Sequence, residues 1–218
     1  MPYRRTDNVA RKLAARHDAI LIAARDLAVE GGMAAVQIVA IAQRAGIAAG
    51  TIYHYFPSKI ELVAALVEAL SATEIEALRR AGDAAPGPLS ALTAVVGTFA
   101  ARALRHQRLA FALIAEPVEA GVDAARLAYR RALAAEFEVR VRHALAAGHL
   151  PDQNVAVTAL AIVGALTEGL IGPLAPVSAE GDGAQGLTLI SLRAVGVADA
   201  RARGLVVQTL VSKRTDAP

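Results

Sequence analysis

Cysteine and tryptophan are absent from this chain, and aromatic residues make up only 4% of it. Without cysteine there is no disulfide and no thiolate metal site, and the redox state of the compartment stays open. Alternating β-branched patterns are also scarce, whereas alanine, the best helix former, is abundant. We therefore expect an all-α protein, and 218 residues suffice for the core of one large or two small domains.

Long apolar runs are also few, and residues 155–177 form the one stretch long enough to cross a membrane. This stretch contains two threonines, three glycines and two prolines, and no basic flank adjoins it. We expect a packed or dimer-interface helix here rather than a membrane span. No apolar segment follows the N-terminal arginines, so no signal peptide is predicted and we expect a cytoplasmic protein.

Three of the eight aromatic residues, Tyr53, Tyr55 and Phe56, lie within four positions of each other. Gly46 follows an apolar-periodic run and is predicted to end a helix in a turn that needs positive φ. A short helix over 49–56 would then face Ile52 and Phe56 inward and leave hydroxyls and other aromatics outward. Two short helices that cross at such a turn are typical of a helix-turn-helix, although the spacing alone also fits a buried aromatic cluster.

The next helix begins with features that favour an anion. Ser58 and Glu61 have the spacing of a capping box, and Lys59 stands at the helix start. A helix in the major groove with phosphate-binding donors beside it would suit DNA. Residues 1–16 carry five basic side chains against Asp7 alone, so they form either a solvated tail or an arm that contacts the minor groove or phosphates.

The stretch Gln-Arg-Ala-Gly-Ile-Ala-Ala-Gly-Thr-Ile-Tyr-His-Tyr-Phe-Pro-Ser-Lys-Ile-Glu-Leu, residues 43–62, resembles the DNA-binding signature of the TetR family of transcriptional regulators. The resemblance extends upstream to residue 20 and downstream to residue 66. It implies a three-helix DNA-binding domain, placed at 1–62, and a helical ligand-binding and dimerisation domain at 63–218. The remaining helices are predicted at 17–30, 36–45, 58–80, 89–106, 108–115, 123–147, 154–171, 187–195 and 199–211.

The resemblance assigns DNA contacts by position. Thr51, Tyr53 and Lys59 match contact positions, Gly50 matches a close approach to the bases, and Tyr55 is a further candidate. The chain departs from the family where hydroxyl and basic donors are common, since it has Val36, Ile38, Val39, Ala48 and Ala49 there. Fewer side chains are therefore expected to read the operator. The full candidate set is Gln37, Gln43, Arg44, Ala49, Gly50, Thr51, Tyr53, His54, Tyr55 and Lys59.

The resemblance further implies a homodimer on a palindromic operator, most often as a repressor, and release of the DNA by a small apolar or amphipathic effector. Apolar helices at 154–171 and 187–195, with the small residues Ala159, Ala161, Gly164 and Ala165, are predicted to form the dimer seam, unless they are simply the centre of one subunit. Candidate effector contacts are Phe99, Arg102, His106, Phe111, Ile114, Glu116, Tyr129, Phe137, Leu166 and Glu168. Ordinary core packing is the alternative for each aromatic, and an ion pair across the dimer is the alternative for Glu168.

No pattern in the chain is typical of an enzyme. Glu136, Glu138 and His143 share a helix but lack metal-ligand spacing, and no phosphate loop, nucleophile elbow or serine–histidine signature occurs. We therefore expect no catalytic residues, no metal and no cofactor. The alternative to a regulator is a helical small-molecule-binding protein with weak or no specific DNA binding.

Overall fold

The computed structural model describes residues 3–171 and 183–215, with side chains for 9–171 and 183–209. Within these ranges all regular structure is helical, with ten α-helices and two short 3₁₀ helices, which confirms the all-α prediction. The α-helices are α1 Tyr3–Gly31, α2 Ile38–Ala45, α3 Ala49–Tyr55, α4 Lys59–Asp83, α5 Pro88–Arg105, α6 Gln107–Ile114, α7 Asp123–Ala146, α8 Val155–Leu170, α9 Gly183–Ala194 and α10 Asp199–Thr215. The 3₁₀ helices are Met33–Ala35 and Ala120–Val122.

Helix α4 connects the N-terminal helices to the rest of the molecule. Its first turns pack against α1 and its length packs against α5 and α7. Leu62, Leu66 and Leu78 lie fully buried along it, and each such side chain contributes about 1.5–3 kcal/mol of burial free energy. Helix α7 packs in turn on α8, and α5 packs on α9. A displacement of α4 would therefore change its packing both against α1 and against α5 and α7.

The basic segment at the N-terminus is where the fold departs most from prediction. We expected a tail or arm over 1–16 and a helix from residue 17, but α1 already begins at Tyr3. No proline or glycine occurs between Tyr3 and Arg16, and the alanines there favour helix. Val9 and Leu13 remain about half exposed, so residues 9–16 of α1 pack little against the core.

Two other boundaries also moved. Gln37 has the extended backbone of an N-cap, so α2 begins at Ile38 and a 3₁₀ turn precedes it. Helix α9 begins at Gly183, four residues before the predicted start at residue 187. We expected a loop over 172–186 between α8 and α9, of which 172–182 lie outside the described residues. No helix among the described residues is long and apolar enough to span a membrane.

Candidate DNA-binding surface and ligand cavity

The turn between α2 and α3 forms as the glycine predicts. Gly46 has φ 65° and ψ 37°, and its amide donates to the carbonyls of Ala42 and Gln43. The Ile47 amide donates to Ala42 at 3.0 Å, which closes the helix end in the manner of a Schellman motif. Both predictions for the inner face of α3 are confirmed, because Ile52 is fully buried and Phe56 is 4% exposed.

The outer face of α3 is open to solvent. Tyr53 is 51% exposed, and Gly50 and His54 are exposed as well. An added Cβ at Gly50 would meet nothing within 4 Å, so a partner surface can approach the backbone there. Thr51 and Tyr55 are half-buried, as is Ala49, and the Tyr55 ring packs edge-on against His54 with centroids 5.7 Å apart. The alternative of a wholly buried aromatic cluster is therefore wrong for Tyr53.

The start of α4 adds donors beside α3. The Ser58 hydroxyl accepts a hydrogen bond from the Glu61 amide at 3.1 Å, as the capping box predicts. Lys59 Nζ donates to Gln37 Oε1 at 3.2 Å, so these two candidates lie together at the edge of the surface. The helix dipole favours an anion at this end. The surface thus offers an ammonium, a phenol and a bare backbone segment within a few residues.

Arg44 is placed differently from the other candidates. Its guanidinium donates to both carboxylate oxygens of Glu30, at 2.6 and 2.8 Å, and this hydrogen bond lowers the pKa of Glu30. Arg44 would have to leave this ion pair to reach a base, and its contact with DNA stays a prediction. Gln43, one residue earlier, is exposed.

A cavity of about 70 Å³ lies between α4, α5, α6 and α7. It brings together five of the predicted effector contacts, namely Phe99, Arg102, His106, Ile114 and Tyr129. Arg102 Nε donates to the Glu74 carboxylate at 2.8 and 2.9 Å. Burial raises the pKa of the Tyr129 phenol, and the Glu74 carboxylate raises it further, so the phenol is neutral. The cavity therefore combines apolar walls with one ion pair and one neutral hydroxyl.

The other five candidates do not line this cavity. Phe111 is 36% exposed, and Phe137 and Leu166 are fully buried elsewhere in the core. Glu168 is exposed on α8, so it does not face apolar core. The Glu116 carboxylate points to the 3₁₀ helix Met33–Ala35.

Sequence analysis missed Glu74. It lies four residues from both Leu70 and Leu78, so it interrupts the apolar stripe of α4 at a core-facing position. An acid on such a stripe must find a partner when buried, and Arg102 is that partner. The acid at position 74 on the apolar stripe of α4 could therefore have indicated a buried ion pair from the sequence alone.

An apolar face of α8 lies open in the single chain. Val157 and Leu160 are each 61% exposed, and Ala161, Gly164 and Ala165 are exposed with them. Ala159 is 1% exposed and packs inside the chain, so it does not belong to the predicted seam. Glu168 lies one turn beyond Gly164 on the exposed side.

Helices α2 and α3, joined by the turn at Gly46, bury their inner face and leave the outer face of α3 exposed. This arrangement is a helix-turn-helix. The model of "Bacterial regulatory proteins, tetR family" matches residues 20–66, so this N-terminal part of the chain is similar to that family.

Curated relatives are HTH-type transcriptional repressors named KstR. The protein of Rhodococcus jostii (strain RHA1) is 49% identical over 33% of this chain and 32% of its own length. That of Mycobacterium tuberculosis (strain ATCC 25618 / H37Rv) is 38% identical over 50% of each chain. The matched part therefore spans a third to a half of these relatives.

The solved structure of RolR in complex with resorcinol has the same fold over most of its length. Its TM-score is 0.67 at 24% identity, covering 90% of this chain and 95% of RolR. At this identity the match supports the fold alone.

Proposed function

We propose that this protein is a ligand-responsive transcriptional repressor that binds a palindromic operator as a homodimer and has no catalytic role. The observation that carries the proposal is the exposed outer face of α3. The inner face of this seven-residue helix is buried, whereas Tyr53 on the outer face is 51% exposed. The Tyr53 phenol and the bare backbone at Gly50 together offer a contact surface for a partner. DNA in the cytoplasm is the partner that fits.

DNA recognition would use a narrower set of side chains than the full candidate list. Lys59 and the amino end of α4 suit a phosphate, while Tyr53, His54 and Gly50 suit the groove. Arg44 is engaged by Glu30, and the hydroxyl donors common in the family are replaced by Val36, Ile38 and Ala48. Each missing bidentate base contact removes about 1–3 kcal/mol of discrimination. We therefore expect a modest preference among related operators.

Two readers per complex would compensate for this limited surface. A two-fold dimer can place its reader helices about 34–36 Å apart, the spacing of successive major grooves. The exposed apolar face of α8 supports a dimer interface on this helix. We propose that α9 forms the second helix of the same interface. We place the division between the two domains at residue 62, inside the first turn of α4.

The effector would bind in the cavity beside Glu74 and Arg102. Its volume of about 70 Å³ is far below the several hundred that drug-sized ligands fill. A small amphipathic molecule, with an apolar body and a hydroxyl or carbonyl for Arg102 or Tyr129, fits its walls best. Larger effectors require α6 to move away from α5.

A gel shift on the DNA upstream of the protein's own gene tests the proposal. A specific complex should weaken with salt, and Lys59→Ala should lower the log–log salt slope by about 1 per protomer. Arg142→Ala, which removes the same charge near the far end of α7, should leave the slope unchanged. The absence of any shift at low salt would contradict DNA binding.

The alternative is a helical binding protein without specific DNA recognition. The missing donors at Val36, Val39 and Ala49 favour it. It predicts effector binding with no DNA complex, or a complex with equal affinity for scrambled DNA. The same titration with a scrambled duplex of equal length separates the two functions.

A further inference from the structure

Glu116 makes a contact between parts of the chain that are 83 residues apart in sequence. Its carboxylate accepts hydrogen bonds from the backbone amides of Met33 at 2.8 Å and Ala34 at 3.3 Å. These amides belong to the first turn of the 3₁₀ helix, whose N-cap residue is Gly32. Glycine has no side chain to satisfy them, so Glu116 supplies the cap from the segment after α6.

The fit around Gly32 shows how closely the carboxylate approaches. Gly32 has φ 71°, and an added Cβ would lie 2.7 Å from Glu116 Oε2. Any side chain at this position would both strain the backbone and push the carboxylate away. The contact therefore needs both a glycine at position 32 and a carboxylate at position 116.

Helix α7 holds the chain on which Glu116 sits. Arg126 donates from one Nη to the Glu116 carbonyl and from the other to the Ala112 carbonyl, each at 2.5 Å. Arg130 donates to the Ile114 carbonyl at 3.3 Å. Carbonyls at a helix end lack partners within the helix, so these two arginines fix the end of α6 and the start of the Glu116 segment to α7.

The same segment borders the effector cavity. Leu113 and Ile114 line it, and Ala115 alone separates Ile114 from Glu116. A ligand that displaces the end of α6 must therefore pull on Glu116. On the other side, the 3₁₀ helix leads through Gln37, which accepts from Lys59 Nζ, into α2.

We propose that Glu116 is a positioning residue that fixes the helix-turn-helix against α6 and α7 by capping the amides of Met33 and Ala34. Loss of this cap frees the 3₁₀ turn and the start of α2, so the two readers of a dimer no longer hold the operator spacing. The DNA-binding consequence rests on the proposed function. The cap on the amides of Met33 and Ala34 does not depend on that function.

The test compares Glu116→Ala with Glu116→Gln and Glu119→Ala in the full-length protein. Hydrogen exchange at the Met33 and Ala34 amides should be about 10–100-fold faster in Glu116→Ala, because a cap hydrogen bond to a carboxylate is lost. Glu116→Gln keeps one acceptor oxygen, so the Met33 amide, which makes the shorter hydrogen bond, should stay within a few-fold of the native protein. Glu119→Ala removes a neighbouring acid that takes no part in the cap and should exchange like the native protein.

DNA binding gives the readout that a purely structural role would not move. Glu116→Ala should lower affinity for the upstream DNA about tenfold while binding to a scrambled duplex changes less than twofold, and Glu116→Gln should restore most of the loss. Unchanged amide exchange, or an equal loss on both duplexes, overturns the proposal. If the native protein binds neither duplex specifically, the repressor assignment fails, and the exchange result alone then supports or overturns the cap.

Discussion

Tyr53 presents about half of its surface to solvent on the outer face of α3. Its ring makes no contribution to the core comparable with that of Ile52, one residue earlier and fully buried. Tyr53→Ala should therefore abolish specific DNA binding while the thermal midpoint changes by less than about 2 °C, the range of ordinary surface substitutions. Differential scanning calorimetry and the gel shift measure the two effects.

Ile52→Ala is the matched comparison, since it truncates a neighbouring side chain that is buried. It should cost about 2–5 kcal/mol of stability. A large drop in midpoint for Tyr53→Ala would mean that Tyr53 belongs to the core, and the proposed reader surface would be wrong.

Tyr129 should make stability fall at high pH. Burial raises the pKa of its phenol above the usual value of 10, and the Glu74 carboxylate raises it further. The unfolded chain loses this proton first, so the stabilising contribution is full below pH 10 and is lost as the pH rises above it. We expect Tyr129→Phe to reduce the slope of unfolding free energy against pH above 10 by up to about 1.4 kcal/mol per pH unit.

Urea denaturation at pH 9 to 11 measures this slope. Tyr53→Phe is the control, because Tyr53 is about half exposed whereas Tyr129 is 4% exposed. Equal slopes for the native protein and Tyr129→Phe would show that the phenol can ionise in the folded state.

At the scale of elements, the α2–α3 turn depends on one backbone conformation. Gly46 has positive φ, and a methyl group there would meet nothing within 4 Å. Gly46→Ala should therefore destabilise by backbone strain alone, about 1–2 kcal/mol, and lower the midpoint by roughly 2–8 °C.

Gly50→Ala is the companion variant, since its methyl group also meets nothing within 4 Å but its φ is not positive. It should leave stability unchanged or raise it by up to about 1 kcal/mol. A weaker gel shift with intact stability would identify Gly50 as a point of close approach to DNA. If both alanine variants lower the midpoint equally, backbone strain at Gly46 is not the cause.

Local signals in the sequence predicted the elements around this turn. Gly46 ended α2, Ser58 capped α4, and the pair Ile52 and Phe56 set the inner face of α3, because each of these depends on residues within four positions. The length of α1 was mispredicted because basic charge suggested a tail, whereas the absence of glycine and proline allowed a helix.

The contacts that join distant parts of the chain could not be predicted. Glu30 with Arg44, Glu74 with Arg102, and Glu116 with Met33 are separated by 14, 28 and 83 residues. Sequence periodicity places a residue on a face of its own helix but does not show which helix packs there. For this reason Glu74 lines the cavity although it was not predicted to, and Glu116 was predicted but does not line it.

For the whole molecule, the exposed face of α8 predicts the oligomeric state. Leu160 is 61% exposed in the single chain, so Leu160→Arg should cost the fold little. In a dimer that closes over this face, the arginine would bury an unpaired charge next to small residues. We expect Leu160→Arg to halve the mass measured by sedimentation velocity at micromolar concentration, with helical circular dichroism retained.

Leu127→Arg is the control, because Leu127 is 48% exposed on α7 and lies outside the proposed seam. It should remain dimeric and bind DNA as the native protein does. A monomeric Leu160→Arg protein should lose the specific gel shift, since one reader covers one half-site and the second half-site contributes only when a dimer sets the spacing. If Leu160→Arg stays dimeric, α8 is not the seam. If it becomes monomeric but binds the upstream DNA unchanged, a two-fold operator is not what this protein reads.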